Sequence, residues 1–280
     1  MRLNACRQYP YSALYAHVGT FTMSILVFKL LFTPLLLLAA TVATRRWGEA
    51  VGGCLIGLPL TSGPISMFLA LDHGPAFAAQ AAAGSLAATI AQACFALAYC
   101  ALAMRGWQVA AAGAFGAFAV AGWILQKAAL PPAALFLLAV LAMTVALVRM
   151  PKATNRVAMP ASPWWDLPLR MTFITALVLG VTMFARHVGA SVSGLLSSFP
   201  FIVSFVGICA HRAVGAEAAQ QVMRGLVSGL LGFASFFFVL TLLLGQWPLP
   251  FTYGAAVLCA LAVQGVSLYR MRVPVLLQPE

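Results

Sequence analysis

Two short runs in this chain carry residue types that can hold a solute inside an apolar environment. They are Gly57-Leu58-Pro59-Leu60-Thr61-Ser62-Gly63-Pro64 and Ser197-Ser198-Phe199-Pro200, each with a proline beside hydroxyls in an otherwise apolar stretch. Proline lacks a backbone N–H and crowds the preceding turn, so nearby helical carbonyls lose their partners. In lipid such carbonyls must be satisfied by neighbouring helices or by a water-lined cavity. A kink that only shapes packing is the equal alternative. Ser193, Ser197, Pro200 and Ser204 are spaced by four, three and four residues, which puts them on one helix face. Hydroxyls on that face can bind solute oxygens, while small residues also let helices approach closely. Gln80 and Gln221 are each followed four residues later by a glycine, Gly84 and Gly225. An amide there bonds a neighbouring helix, the simpler reading, or a solute. The candidate substrate-binding set is Pro59, Thr61, Ser62, Gly63, Gln80, Ser193, Ser197, Ser198, Pro200, Ser204 and Gln221. Gln92 and Gln264 lie deeper in their runs and read as structural.

Other chemistry lacks its residues. The acids are Glu49, Asp72, Asp166, Glu217 and Glu280, all at the ends of apolar runs, so no carboxylate pair forms a proton relay. The six cysteines show no Cys-x-x-Cys pair and no histidine at ligand spacing. The histidines stand apart, and neither a phosphate-binding glycine loop nor a Ser-His-Asp set is present. The expectation is no catalysis, no metal, no cofactor and no disulfide. Met1–Thr20 lacks an apolar core with a small-residue cleavage site and does not read as a signal peptide.

The elements that must position these groups follow from composition. Hydrophobic residues make up 63%, charged residues 8%, and the mean hydropathy is +0.98. A soluble domain carries roughly 25% charged residues, so the expected class is an all-α polytopic protein of the lipid bilayer. A span needs about 20 apolar residues. About nine segments qualify, near 22–43, 50–71, 76–103, 107–126, 130–149, 169–185, 188–210, 225–245 and 250–269. The net charge of +11 does not indicate nucleic acid, because the basic residues lie between apolar runs and not in one patch. They divide by side instead. Arg45, Arg46, Arg105, Arg149, Lys152, Arg156, Arg170, Arg212, Arg224, Arg270 and Arg272 fall on one side. Only Arg2, Arg7, Lys29, Lys127 and Arg186 fall on the other. Basic loops stay inside during insertion, so this is read as a multi-pass protein of a bacterial inner membrane, its N-terminus periplasmic and its C-terminus cytoplasmic. The tryptophans at 47, 107, 123, 164, 165 and 247 all lie near span ends, as an aromatic belt requires.

A repeat organises the chain. At a constant offset of 141, Arg45 pairs with Arg186, Gly53 with Gly194, Pro59 with Pro200, Gly74 with Gly215, Gln80 with Gln221, Gly84 with Gly225 and Gly113 with Gly254. The offset covers five spans, an odd number, so the second unit enters the membrane in the opposite sense. The expected organisation is an N-terminal extension (1–21), a four-helix repeat (22–126), a linking helix with a cytoplasmic loop (127–168), a second repeat (169–272) and a tail (273–280). This inverted 4+1+4 arrangement is the usual architecture of secondary transporters. The expected function is a permease for a small neutral, amphipathic or anionic solute or a lipid precursor, working by alternating access. The alternative is a non-transporting scaffold or accessory protein for envelope or polysaccharide assembly. Beyond the bilayer and a small-molecule solute, a homo-oligomer or an envelope-assembly partner stays open.

The segment SGLLSSFPFIVSFVGICAHRAVGAEAAQQVMRGLVSG, Ser193 to Gly229, resembles the central part of the GlpM-type small four-span membrane proteins, and GGCLIGLPLTSGP extends that likeness to the first half. The resemblance implies two such units in tandem, the second inverted. The arrangement is also similar to duplicated members of the drug/metabolite transporter superfamily. Segment 22–43 lacks the carboxylate of that superfamily's small multidrug exporters, which argues against proton-coupled export of cationic drugs. The charge asymmetry is checked with C-terminal fusions: green fluorescent protein is expected to fluoresce and alkaline phosphatase to be inactive. The opposite pattern would overturn the orientation.

Overall fold

The computed structural model describes Pro59, residues 61–151 and residues 166–276. These residues form α1 (Ser62–His73), α2 (Pro75–Leu102), α3 (Trp107–Ala128), α4 (Pro132–Arg149), α5 (Asp166–Val188), α6 (Ala190–Ser197), α7 (Phe201–Ala213), α8 (Ala216–Leu243) and α9 (Leu249–Leu276). A 3-10 turn, Ala103–Arg105, joins α2 to α3. Among the described residues five helical stretches are long and apolar enough to cross a membrane: Pro75–Arg105, Trp107–Ala128, Pro132–Arg149, Ala216–Leu243 and Leu249–Val266. The fold is that of an α-helical membrane protein. The N-terminal extension, the expected span 22–43, the start of the second span and most of the loop after α4 lie outside the described residues.

Polar residues explain the main shift in boundaries. Hydropathy alone starts the eighth span near 225, yet α8 begins at Ala216. Its first turns hold Glu217, Gln220, Gln221 and Arg224, which lower the local hydropathy. Backbone groups in lipid still need helical partners, so the helix continues through them. Two of these side chains bond neighbouring helices: Gln220 Nε2 donates to the Cys100 carbonyl at 3.2 Å, and Arg224 Nη1 to the Leu147 carbonyl at 2.9 Å.

Those contacts also fix direction. Cys100 lies near the end of α2 and Gln220 near the start of α8, so the two helices run antiparallel. The ends of α2, α4 and α7 and the start of α8 meet at one end of the bundle, through Tyr99–His211, Cys100–Gln220 and Arg224–Leu147. That end carries Arg105, Arg149, Arg212 and Arg224. The opposite end joins α1 to α5, where Arg186 Nε donates to His73 Nδ1 at 3.3 Å.

Helices α2 and α8 form the centre. Of their crossing windows 72% and 61% is buried, against 22% for α4 and α9, which leave most of their surface uncovered. Buried alanines around α2 (Ala78, Ala82, Ala88, Ala91, Ala96) let neighbours come close on several sides. The approach is tightest against α6. A methyl group at Gly84 would overlap the Ser191 carbonyl, and one at Gly194 would overlap the Ala81 carbonyl. Only glycine fits at either place. Gly84→Ala or Gly194→Ala is expected to destabilise the protein by about 1–3 kcal/mol through overpacking. Gly116→Ala, on a surface with nothing within 4 Å of the added carbon, should leave thermal unfolding in detergent unchanged. An equal response of all three would count against the packing account.

Candidate functional site

The site is built around the gap between α6 and α7. Helix α6 stops at Ser197 and α7 starts at Phe201, with Pro200 immediately before it at φ −80, ψ 51. Pro200 has no N–H to give to the preceding turn. The chain tightens instead: Ser198 N donates to the Leu195 carbonyl at 3.3 Å, and Phe199 N to the Leu196 carbonyl at 3.1 Å. The carbonyls of Ser197 and Ser198 are then left for side chains.

Those side chains come from other helices. Ser62 Oγ on α1 donates to the Ser197 carbonyl at 2.8 Å. The Gln92 amide on α2 donates to the Ser198 carbonyl. Two further donors hold α6 itself: Ser85 Oγ reaches the Gly194 carbonyl at 3.0 Å, and Gln126 Nε2 on α3 reaches the Ser191 carbonyl at 3.1 Å. Phe199 anchors the gap, its ring centroid 5.6 Å from Phe115, 4.9 Å from Phe118 and 4.2 Å from Phe201.

The structure brings only some of the sequence-derived candidates together. Ser62, Ser197, Ser198 and Pro200 meet at the gap. Ser193, Ser197 and Ser204 turn their hydroxyls onto their own chain, donating to the carbonyls of Gly189, Gly194 and Pro200 at 2.8, 2.8 and 2.6 Å. The hydroxyl oxygens keep acceptor capacity there. Pro59 is buried before α1 and its carbonyl accepts Gly63 N at 2.7 Å; Gly63 is buried and Thr61 half-buried. Ser198 Oγ is the exception: it is buried and has no hydrogen-bond partner among the described residues. Gln80 is exposed, twelve residues before Gln92 and so about 18 Å away along α2. Gln221 stands elsewhere again, on a cavity of about 820 Å³ between α4, α8 and α9.

Ser85, Gln92 and Gln126 were not among the candidates. Gln92 carried a signal, because an amide deep in an apolar helix needs a partner. Its place in the sequence does not say which partner. Among the described residues no three His, Cys, Asp or Glu side chains gather as metal ligands. No protein-family model matches the chain, and comparison with curated proteins and with solved structures gives no match.

Removing one donor leaves a buried carbonyl unpaired, at about 1–3 kcal/mol. Gln92→Leu and Ser62→Ala should each lower the unfolding temperature in mild detergent. The double variant should show nearly the summed loss, because the two donors serve different carbonyls. Full stability in Gln92→Leu would show that this carbonyl needs no protein partner.

Proposed function

We propose that the chain is a secondary permease of a small neutral, amphipathic or anionic solute or lipid precursor, working by alternating access of two inverted four-helix repeats. The observation that carries this reading is the pair α2 and α8. Each has 28 residues, they begin 141 positions apart, and they run antiparallel. Their approaches match as well. Gly74 and Gly215, also 141 apart, precede them with φ of 88 and 125, a backbone region that side chains with a Cβ rarely adopt. Pro59 and Pro200 stand shortly before the helices that lead into those glycines. Broken helices at matching positions of two halves are the strongest sequence pointer to a transport site.

The Gly84 face of α2 is pressed against α6, whereas the matching face of α8, with Gln221 and Gly225, borders the cavity. Alternating access would exchange such packed and open faces between two equivalent halves. In this proposal the basic end faces the cytoplasm. The unpartnered Ser198 hydroxyl, beside the carbonyls of the broken helix, is the group that contacts solute. The likeness to GlpM-type proteins belongs to the same proposal and names no cargo.

The test is flux into proteoliposomes for each solute class. Wild type should transport at least one class, while Ser198→Ala and Pro200→Ala should lose that flux with helical content and monodispersity intact. No flux for any class by a well-folded wild type would sink the permease reading. A partner held through mild-detergent purification, with Ser197→Ala and Ser198→Ala tolerated, would establish the scaffold in its place.

A further inference from the structure

The cavity between α4, α8 and α9 has a composition that selects its ligand. Its volume is about 820 Å³, within the range of small-molecule sites. Most of its described lining is aliphatic, from Val140, Met143 and Leu147 on α4, Val227 and Leu231 on α8 and Val263 on α9. Arg224 is the one charged side chain among the described lining residues, and no carboxylate accompanies it. Its Nη1 donates to the carbonyls of Leu147 and Met150 at 2.9 and 3.3 Å, closing the end of α4. Those acceptors are neutral, so no described residue balances the positive charge there.

Position makes that charge informative. Arg224 is eight residues into α8, about 12 Å from the helix end, in a helix about 42 Å long. With a hydrocarbon core of about 30 Å, its Cα falls a few ångströms inside the apolar boundary, and its guanidinium reaches the last turn of α4 at the edge of that core. Backbone carbonyls solvate such a cation but leave its net charge for an anion to meet. The walls beside it, α4 and α9, are the least buried of the candidate crossing helices among the described residues, so their exposed faces are the ones a bilayer would cover.

We infer that this cavity binds an anionic amphiphile from the membrane, its phosphate or carboxylate head on Arg224 and its acyl chain along the aliphatic walls of α4, α8 and α9. Guanidinium matches such heads with two parallel hydrogen bonds. Gln221 stands one turn from Arg224 on the same wall, and Ser228 and Thr144 add hydroxyls. Both hydroxyls already donate, to the Gly225 carbonyl at 2.8 Å and the Val140 carbonyl at 2.8 Å, which leaves the anion to Arg224. The inference does not rest on transport, and a resident lipid would satisfy it as fully as a cargo.

The experiment uses the full-length protein in a neutral detergent, with dodecyl phosphate, dodecanol and inorganic phosphate as separate probes of thermal unfolding. Dodecyl phosphate should raise the unfolding temperature in a saturable way, and the other two should not. Arg224→Gln should weaken dodecyl phosphate binding about tenfold or more, while Val263→Trp, which fills the cavity and keeps the charge, should weaken it comparably. In native mass spectrometry, phosphatidylglycerol should stay bound to wild type in preference to phosphatidylcholine. If Arg224→Gln does not fold, Val263→Trp and the lipid comparison decide. Equal stabilisation by inorganic phosphate, or wild-type binding in Val263→Trp, would overturn the site. Flux is measured separately, so the permease reading can fail while this site stands.

Discussion

A carbonyl in a lipid-facing protein has no water to turn to, and the gap before Pro200 creates two such groups. Much of the described structure is arranged around them. Ser62 on α1 and Gln92 on α2 supply the missing donors, so a break in one helix becomes a tie among three segments far apart in sequence. Each tie is a side-chain donor on a buried backbone acceptor. Such bonds add modestly to stability when made, and their loss leaves the full desolvation penalty of the carbonyl. The break is therefore affordable only because α1 and α2 stand where they do.

Close packing makes that placement possible. Ser85 reaches the Gly194 carbonyl because the backbones of α2 and α6 touch, and they touch because Gly84 and Gly194 carry no Cβ. Lipid tails are as apolar as leucine, so helices in a bilayer gain little from hiding apolar surface. They associate through van der Waals fit and interhelical hydrogen bonds instead. The α2–α6 contact uses both. The face of α8 that carries Gln221 and Gly225 borders a cavity and a cation instead.

The charges divide along the same axis. Arg105, Arg149, Arg212 and Arg224 gather where α2, α4, α7 and α8 meet, whereas Arg186 pairs with His73 at the far end. Arg212 rests over the Trp107 ring, 5.6 Å from its centroid, as an amphipathic pair does at an interface. Arg224 differs from the others because its guanidinium turns inward and closes α4.

Composition by itself determined the class, since a chain with 8% charged residues cannot cover a soluble core. Hydropathy located α2, α3 and α4 within about two residues of their ends, because long apolar runs have one stable backbone in lipid. Proline marked where α6 would stop, since a missing N–H is a local property. Tertiary structure alone decided which partner each freed carbonyl would find, because Ser62 and Gln92 approach Ser197 and Ser198 from more than a hundred residues away. It also separated Gln80 from Gln221, one exposed and one on a cavity, although their sequence surroundings match. Local sequence sets where a backbone breaks, and only packing between distant helices sets what heals it.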